Sequence, residues 1–233
     1  MSEAVAPYKI EIPDVALDDL KTRLRMTRFP EAETVEDWSQ GVPLSYAREL
    51  VTYWAETYDG RRLESQLNAM PNFRTELDGL GIHFLHIRSP EPGARPLIMT
   101  HGWPGSVLEF LEVIDPLTDP VAHGGAAEDA FHLVCPSLPG FGFSDKPATS
   151  GWGVEKIASA WDVLMRRLGY DSYFAQGGDW GSIVTSEIGA QNLGACQGIH
   201  VNMAFVMPDA DAMEEMTPEE QSALADLKFY QDW

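Results

Sequence analysis

The sequence predicts an α/β fold, with a doubly wound, mostly parallel sheet that follows a helical meander. Short apolar runs alternate with amphipathic segments from residue 96 onward, which is typical of a parallel sheet with helices on both faces. Glycine-rich turns follow two of these runs. Before residue 70, the apolar residues show helical spacing instead. The predicted parallel strands are Pro96–Thr100, His132–Cys135, Tyr173–Gln176 and Gly198–Asn202.

The N-terminal meander contains two predicted amphipathic helices. The first spans Asp14–Arg25, with Asp14 as its expected cap and leucines at helical spacing. The second spans Ser45–Thr57 and carries a stripe of large apolar side chains, which we expect to be buried in a core. That stripe consists of Leu50, Tyr53 and Trp54.

A β-hairpin connects the meander to the parallel sheet. Asp78 and Gly79 form a two-residue turn signal between the runs Phe73–Leu77 and Ile82–Arg88. Later helices are predicted to begin near Ser106, Val154 and Ser182, and an acidic helix at Pro218.

Residues 177–182, Gly-Gly-Asp-Trp-Gly-Ser, directly follow a predicted strand. Gly177 and Gly181 flank Asp179 at two residues on either side, as a sharp strand-to-helix turn requires, because its central residue is strained and closely surrounded. Such a turn lifts the central side chain above the sheet. Most turns of this kind carry serine, whereas this chain carries a carboxylate. An ordinary glycine turn is the alternative interpretation.

A carboxylate at this position favours displacement at an sp³ carbon. Its attack on an ester or amide would give a mixed anhydride, whereas its attack on an epoxide or a haloalkane gives a stable alkyl ester. Water that a histidine activates would then hydrolyse that ester at its carbonyl carbon. The residue type at 179 therefore indicates the class of reaction.

A second glycine-containing loop lies upstream. The strand Pro96–Thr100 runs into residues 101–106, His-Gly-Trp-Pro-Gly-Ser, and a helix with one apolar face follows. That face is formed by Val107, Phe110, Leu111 and Ile114. We interpret His101 as a structural loop histidine rather than a catalytic one, since a base must approach an ester on Asp179 from the opposite side.

Residues 101–104, 138–144 (Leu-Pro-Gly-Phe-Gly-Phe-Ser) and 177–182 resemble the epoxide hydrolases of the α/β-hydrolase superfamily, in particular the microsomal and juvenile-hormone branch. Segments within the first 41 residues resemble the N-terminal meander of that branch. The resemblance covers essentially the whole chain. It implies an incomplete α/β-hydrolase fold with three parts: an N-terminal region at 6–110 whose meander spans 6–70, a core at 111–205, and the start of a lid at 206–233.

The resemblance also implies roles for individual residues. Asp179 would be the nucleophile, and the backbone N–H groups of Trp103 and Trp180 would form the oxyanion hole. Supporting positions in the two loops would be His101, Gly102, Pro104, Gly177 and Gly181. The substrate would be a small apolar epoxide, with water as the second reactant and no cofactor or metal.

The acid–base half of such a site is missing from the sequence. None of the six histidines follows a late strand, and no Asp or Glu lies between Glu187 and Asp209. The two lid tyrosines of the family are expected beyond Trp233, and Tyr230 is a poor substitute. The chain would be a fragment lacking the C-terminal half, one of two complementary chains, or a non-catalytic remnant. We favour a fragment, which alone would aggregate or be molten.

Two other functions remain open at this stage. A haloalkane dehalogenase would share the elbow and the 101–104 loop, and the Trp180 indole N–H could hold a halide. Trp103 argues against it, since many dehalogenases have asparagine there, and the N-terminal meander favours the epoxide. A non-catalytic fragment that acts through its surfaces is the alternative of another class.

The composition limits the classes of binding partner and the cellular compartment that we expect for the protein. A net charge of −20 and a pI near 4.5 argue against nucleic acids and anionic membranes. We expect Cys135 and Cys196 to be buried, reduced thiols, because their spacing fits neither a metal site nor a redox motif. No segment approaches the ~20 apolar residues of a membrane span, so we expect a cytoplasmic protein without a membrane anchor.

Overall fold

The computed structural model describes residues 4–205 and 210–232, which contain one mixed sheet and its flanking helices. The strands are β1 (Ala6–Pro7), β2 (Asn72–Leu77), β3 (Leu80–Ile87), β4 (Arg95–Thr100), β5 (Phe131–Pro136), β6 (Tyr173–Gly177) and β7 (Cys196–Val201). The α-helices are α1 (Asp14–Arg25), α2 (Leu44–Glu56), α3 (Gly60–Asn68), α4 (Leu111–Thr118), α5 (Val154–Arg167), α6 (Trp180–Gln191), α7 (Ala210–Glu214) and α8 (Pro218–Asp232).

The strand order is β1-β2-β3-β5-β4-β6-β7. The strands β5, β4, β6 and β7 are parallel to one another, and β1, β2 and β3 extend the sheet with antiparallel pairs. The α/β-hydrolase fold, in part and with its parallel core, is therefore confirmed. The two-residue strand β1 was not predicted, because so short a segment has no periodicity to recognise.

The predicted hairpin is present, and its turn explains its sequence. Asp78 and Gly79 both have positive φ, at 48° and 80°, which is the backbone of a type I′ turn. The turn fixes the register, so that Leu77 pairs with Leu80 and Phe73 with Phe84. The hairpin thereby joins the N-terminal region to the parallel core.

Helices cover both faces of the sheet. On one face, α5 and α6 contribute Trp161, Leu164, Val184 and Ile188 to a cluster with the sheet. On the other face, α3, α4 and the 3₁₀ segment Val107–Phe110 pack on β3, β4 and β5. Val107, Phe110 and Ile114, which the sequence predicts on one apolar face, are all buried there.

The second face is only partly covered. Near β4, β6 and β7 an open apolar groove of about 630 Å³ remains beside α4. Leu97, Phe174 and Ile199 line it, and Ile199 on the edge strand β7 is 45% exposed. The predicted strand 198–202 is therefore an edge strand with exposed apolar surface, and it spans Cys196–Val201.

The N-terminal meander differs from the prediction in three ways. Pro13 rather than Asp14 occupies the cap of α1, since the Asp14 carboxylate pairs instead with Arg61. The sequence analysis missed α3. The predicted stripe on α2 is not buried, because this helix packs mainly on α1, whose outer face is itself exposed. Its residues remain exposed by 51% (Leu50), 52% (Tyr53) and 44% (Trp54).

The two cysteines are free, but only one of them fits the prediction of burial. Cys135 on β5 is fully buried, and this burial raises the pKa of its thiol to about 12. Cys196 at the start of the edge strand β7 is half-buried. Among the described helices, none is both long and apolar enough to span a membrane.

Candidate active site

Asp179 occupies the predicted turn between β6 and α6. Its backbone has φ 51° and ψ −128°, a conformation that L-residues rarely adopt and that costs on the order of 1–3 kcal/mol. Side chains at the two flanking glycines would collide with backbone: a Cβ at Gly177 with the carbonyl of Gly181, and a Cβ at Gly181 with the carbonyl of Thr100. The small residues are therefore required by close approach of the chain, as the sequence indicates.

The upstream loop lies directly against the Asp179 side chain. The backbone N–H of Trp103 donates to Oδ1 of Asp179 at 2.7 Å. A Cβ at Gly102 would overlap the same carboxylate, so glycine is needed for this contact. The peptide between Trp103 and Pro104 is cis. The structure thus brings together the two loops that the sequence analysis singled out.

The Asp179 carboxylate is exposed and surrounded by amide donors. Hydrogen bonds from the backbone N–H groups of Trp180 and Trp103 hold its pKa below the ordinary value for an aspartate. Its position at the N-terminus of α6 favours negative charge as well. At neutral pH the group is therefore an ionised carboxylate, which is the form that acts as a nucleophile.

His101 is buried between the two loops and hydrogen-bonded at both ring nitrogens. It is fully buried, and its Nε2 accepts a hydrogen bond from the Leu138 backbone N–H at 3.1 Å. That bond leaves the ring proton on Nδ1, which donates to the Gly102 carbonyl at 3.0 Å. Burial lowers the pKa of the imidazole. His101 therefore links the loop after β4 to the loop after β5 and is not free to act as a base.

The remaining five histidines lie away from the Asp179 carboxylate. His83 and His86 are inside β3, His132 is near the N-terminal end of β5, and His123 is exposed in the 3₁₀ segment Pro120–His123. His200 on β7 lines the apolar groove. The side chain of Tyr230 lies outside the described side chains. Within residues 4–205 and 210–232, no three His, Cys, Asp or Glu residues form a metal-binding group.

Two polar residues near Asp179 were missed by the sequence analysis. Asn202 follows β7, and its side chain lies so close to Gly178 that a Cβ there would meet Oδ1 at 2.5 Å. Glu109 follows the upstream loop, and partial burial, with a smaller effect of the Asp179 charge, raises the pKa of its carboxyl. A signal for Glu109 exists in the sequence, because Ser106 and Glu109 have the spacing of a helix capping box. No sequence pattern marks Asn202.

Two family models match the chain. The model of the epoxide hydrolase N terminus matches residues 5–110, and the model of the alpha/beta hydrolase fold matches residues 95–231. A putative epoxide hydrolase of Stigmatella aurantiaca is 57% identical over 97% of this chain and 51% of its own length. Epoxide hydrolase 1 of Sus scrofa is 36% identical over 88% of this chain and 46% of its own length.

Solved structures show the same similarity. The epoxide hydrolase of Aspergillus niger has a TM-score of 0.80 and 32% identity, over 98% of this chain and 60% of that protein. The juvenile hormone epoxide hydrolase of the silkworm Bombyx mori has a TM-score of 0.75 and 35% identity, over 92% and 55% of the two chains. The chain spans about half the length of the relatives it matches.

Proposed function

The chain belongs to the alpha/beta hydrolase fold family and carries an epoxide hydrolase N-terminal region, and on this premise we propose that it is the nucleophile-bearing part of an epoxide hydrolase. The reaction is the opening of an epoxide to a vicinal diol. The observation that supports it most is the strained turn that presents an ionised, amide-bound Asp179 carboxylate.

In the first step, a carboxylate oxygen of Asp179 attacks an epoxide carbon. The carbon–oxygen bond of the ring breaks, and the ring oxygen takes a proton to become a hydroxyl, leaving a hydroxyalkyl ester on Asp179. The exposure of Asp179 leaves room for a small apolar epoxide. The half-exposed indole of Trp180 and the exposed indole of Trp103 offer apolar surface on either side of the carboxylate.

In the second step, water attacks the ester carbonyl and releases the diol with an Asp179 carboxylate. The negative charge then develops on the carbonyl oxygen, where the Trp103 and Trp180 amides donate. The step also requires a base for the water, and none of the six histidines of the chain is placed for it. We propose that this base, its acid partner and the proton donor of the first step come from the part of the relatives that this chain does not span.

Isotope labelling tests this mechanism in a preparation that turns over epoxide. A single turnover of styrene oxide in ¹⁸O water should place the label in the Asp179 carboxylate, because water attacks the ester carbonyl. The Asp179→Ala variant should lose turnover and keep its fold. Label in the diol alone after one turnover would mean direct attack by water on the epoxide, and Asp179 would not be the nucleophile.

Haloalkane dehalogenation is the rival reaction, favoured by the Trp180 indole beside the nucleophile. A substrate panel separates the two activities, since one releases diol and the other halide. We expect diol from terminal epoxides and no bromide from 1-bromoalkanes. Bromide release without diol formation would favour the dehalogenase, and absence of both would favour a non-catalytic chain.

A further inference from the structure

Gly105 has no backbone reason to be glycine. Its φ is not among the positive values of the chain, and positive φ is the usual reason for a glycine in a loop. The space where its side chain would lie is occupied, because a Cβ at 105 would overlap Oε1 of Glu109. The Glu109 carboxylate thus folds back over Gly105, two residues after Trp103.

Hydrogen bonds hold Glu109 in this position. The backbone N–H of Ser106 donates to the Glu109 carboxylate, and the Ser106 hydroxyl accepts from the Leu108 backbone N–H at 3.3 Å. Ser106 thus caps the start of the 3₁₀ segment that leads into α4, and its own backbone N–H is satisfied by Glu109. It connects the buried helix start, where Val107 and Phe110 are fixed in the core, to the exposed loop.

Glu109 also lies within electrostatic reach of the nucleophile. Partial burial raises the pKa of the Glu109 carboxyl, the Ser106 amide opposes this, and the negative charge of Asp179 raises the pKa further. Two carboxylates therefore contact the same loop, that of Asp179 at Gly102 and that of Glu109 at Gly105. Only Asp179 receives the Trp103 N–H.

We propose that Glu109 is a positioning residue of the candidate site, whose side chain packs over Gly105 and holds the Trp103 N–H against Asp179. This role serves catalysis only if the proposed function is correct. The hydrogen bond from the Trp103 N–H to Asp179, which Glu109 would maintain, can be measured without turnover. Its physical basis is shape and hydrogen bonding, so glutamine should replace glutamate. Gly105 is its complement, since any side chain there would displace the Glu109 carboxylate.

Hydrogen exchange of the Trp103 backbone amide, followed by mass spectrometry at single-residue resolution, tests this proposal at low micromolar protein. Glu109→Ala should speed the exchange about tenfold, the value for loss of one hydrogen bond to a charged group. Glu109→Gln should stay within about twofold of the wild type. Gly105→Ala should match Glu109→Ala, and the double variant should show no additional increase.

Ser106→Ala is the matched control, because it removes the hydroxyl that caps the Leu108 N–H and leaves Glu109 in place. If it speeds the exchange at Trp103 as much as Glu109→Ala does, Glu109 only caps the helix and the proposal is wrong. Unchanged exchange in Glu109→Ala, or additive effects in the double variant, would also overturn it. If Trp103 responds as expected but Asp179 never reacts with styrene oxide, the proposed function fails and the positioning role stands.

Discussion

The turn at Asp179 and the apolar groove both lie on β4 and β6, but the turn is tightly packed and the groove is open. At the turn, Gly102, Gly177 and Gly181 each face atoms of this chain so closely that no side chain fits. At the groove, Leu97, Phe174 and Ile199 border an open volume of about 630 Å³. Contacts within the described residues fully enclose the glycines of the turn. The groove instead presents apolar surface that the described residues leave uncovered.

The difference shows which features depend on local sequence. The turn is built by residues 177–182 and by the adjacent loop 101–106, which parallel pairing of β4 and β6 brings together. The groove is lined on one side by α4, and the described residues leave its side at β6 and β7 open. We therefore expect the geometry of the Asp179 turn to be robust in this chain, while the edge of the sheet is prone to association.

Two glycines on α6 provide the largest expected contrast between these regions. Gly181→Ala should destabilise the protein by about 4 kcal/mol, because its Cβ would collide with the Thr100 carbonyl, which is held in β4. Gly189→Ala should be neutral or stabilise by up to about 1 kcal/mol through helix propensity. Its Cβ would meet the side chain of Ile199, with Cδ1 nearest at 3.2 Å, and this side chain on the exposed edge strand can shift.

Urea denaturation of both variants measures this contrast. Equal losses of unfolding free energy would contradict the account, since the edge would then be packed as firmly as the turn. Gly93→Ala serves as a control, because nothing lies within 4 Å of its Cβ position and its φ is not positive. It should change the unfolding free energy by less than about 0.5 kcal/mol.

The covered part of the sheet should lose stability at low pH, in part through two buried histidines on β3. His83 bonds to Ser137 and Asn72, both at 2.9 Å, and His86 bonds to Tyr170 at 2.8 Å. Burial is the main reason that the pKa of each histidine is lowered to about 4. The positive charge of Arg74 lowers the pKa of His83 further, and that of Arg88 lowers the pKa of His86. Because the unfolded chain binds protons below pH 6.5 and the folded chain does not, stability is lost as the pH falls from 6.5 toward 4.

Between pH 7.5 and pH 5, each histidine should remove about 2 kcal/mol of unfolding free energy. His86→Gln should therefore reduce the pH-dependent loss by about 2 kcal/mol, measured by urea denaturation at the two pH values. His123→Gln, at an exposed site, should leave the loss as in the wild type. If the stability did not depend on pH in this window, the two imidazoles would not be buried as neutral groups.

The smallest effect on stability and the clearest effect on association are expected at Ile199. Its side chain is 45% exposed on the edge strand and borders the groove, so Ile199→Lys should cost less than about 0.5 kcal/mol. A charge on the edge should also reduce self-association, seen as a shift toward monomer in sedimentation velocity. A monodisperse wild-type monomer with a sharp thermal transition would refute the expectation that the chain aggregates.

Sequence patterns predicted the features that neighbouring residues build. They did not predict features that depend on packing against a distant segment. The Asp179 turn, the hairpin at Asp78 and the structural role of His101 follow from local residue types, and the structure places them as expected. The α2 stripe shows the opposite case. Helical periodicity identified its apolar face, but periodicity contains no information about what covers that face, and Tyr53 is 52% exposed.

Other errors have equally specific causes. Asp14 pairs with Arg61 from α3, a contact that cannot be inferred without the tertiary fold, and this pairing takes it from the cap of α1. Glu109 was visible as the last residue of a capping box, but only the structure shows its carboxylate over Gly105. Asn202 follows β7 and contacts Gly178, which follows the neighbouring strand β6. No local sequence pattern predicts such a contact.

Reaction of the 233-residue chain with an epoxide tests the central claim most directly, because ester formation requires the turn but not the base for hydrolysis. Water can protonate the ring oxygen, although more slowly than the proposed donor. The protein is incubated with styrene oxide, digested and mapped by mass spectrometry, with Asp179→Asn as the matched variant. We predict that one epoxide adduct accumulates on Asp179 as an ester and is absent in Asp179→Asn. Equal modification of the variant, or adducts spread over other carboxylates with Asp179 unmodified, would contradict the account.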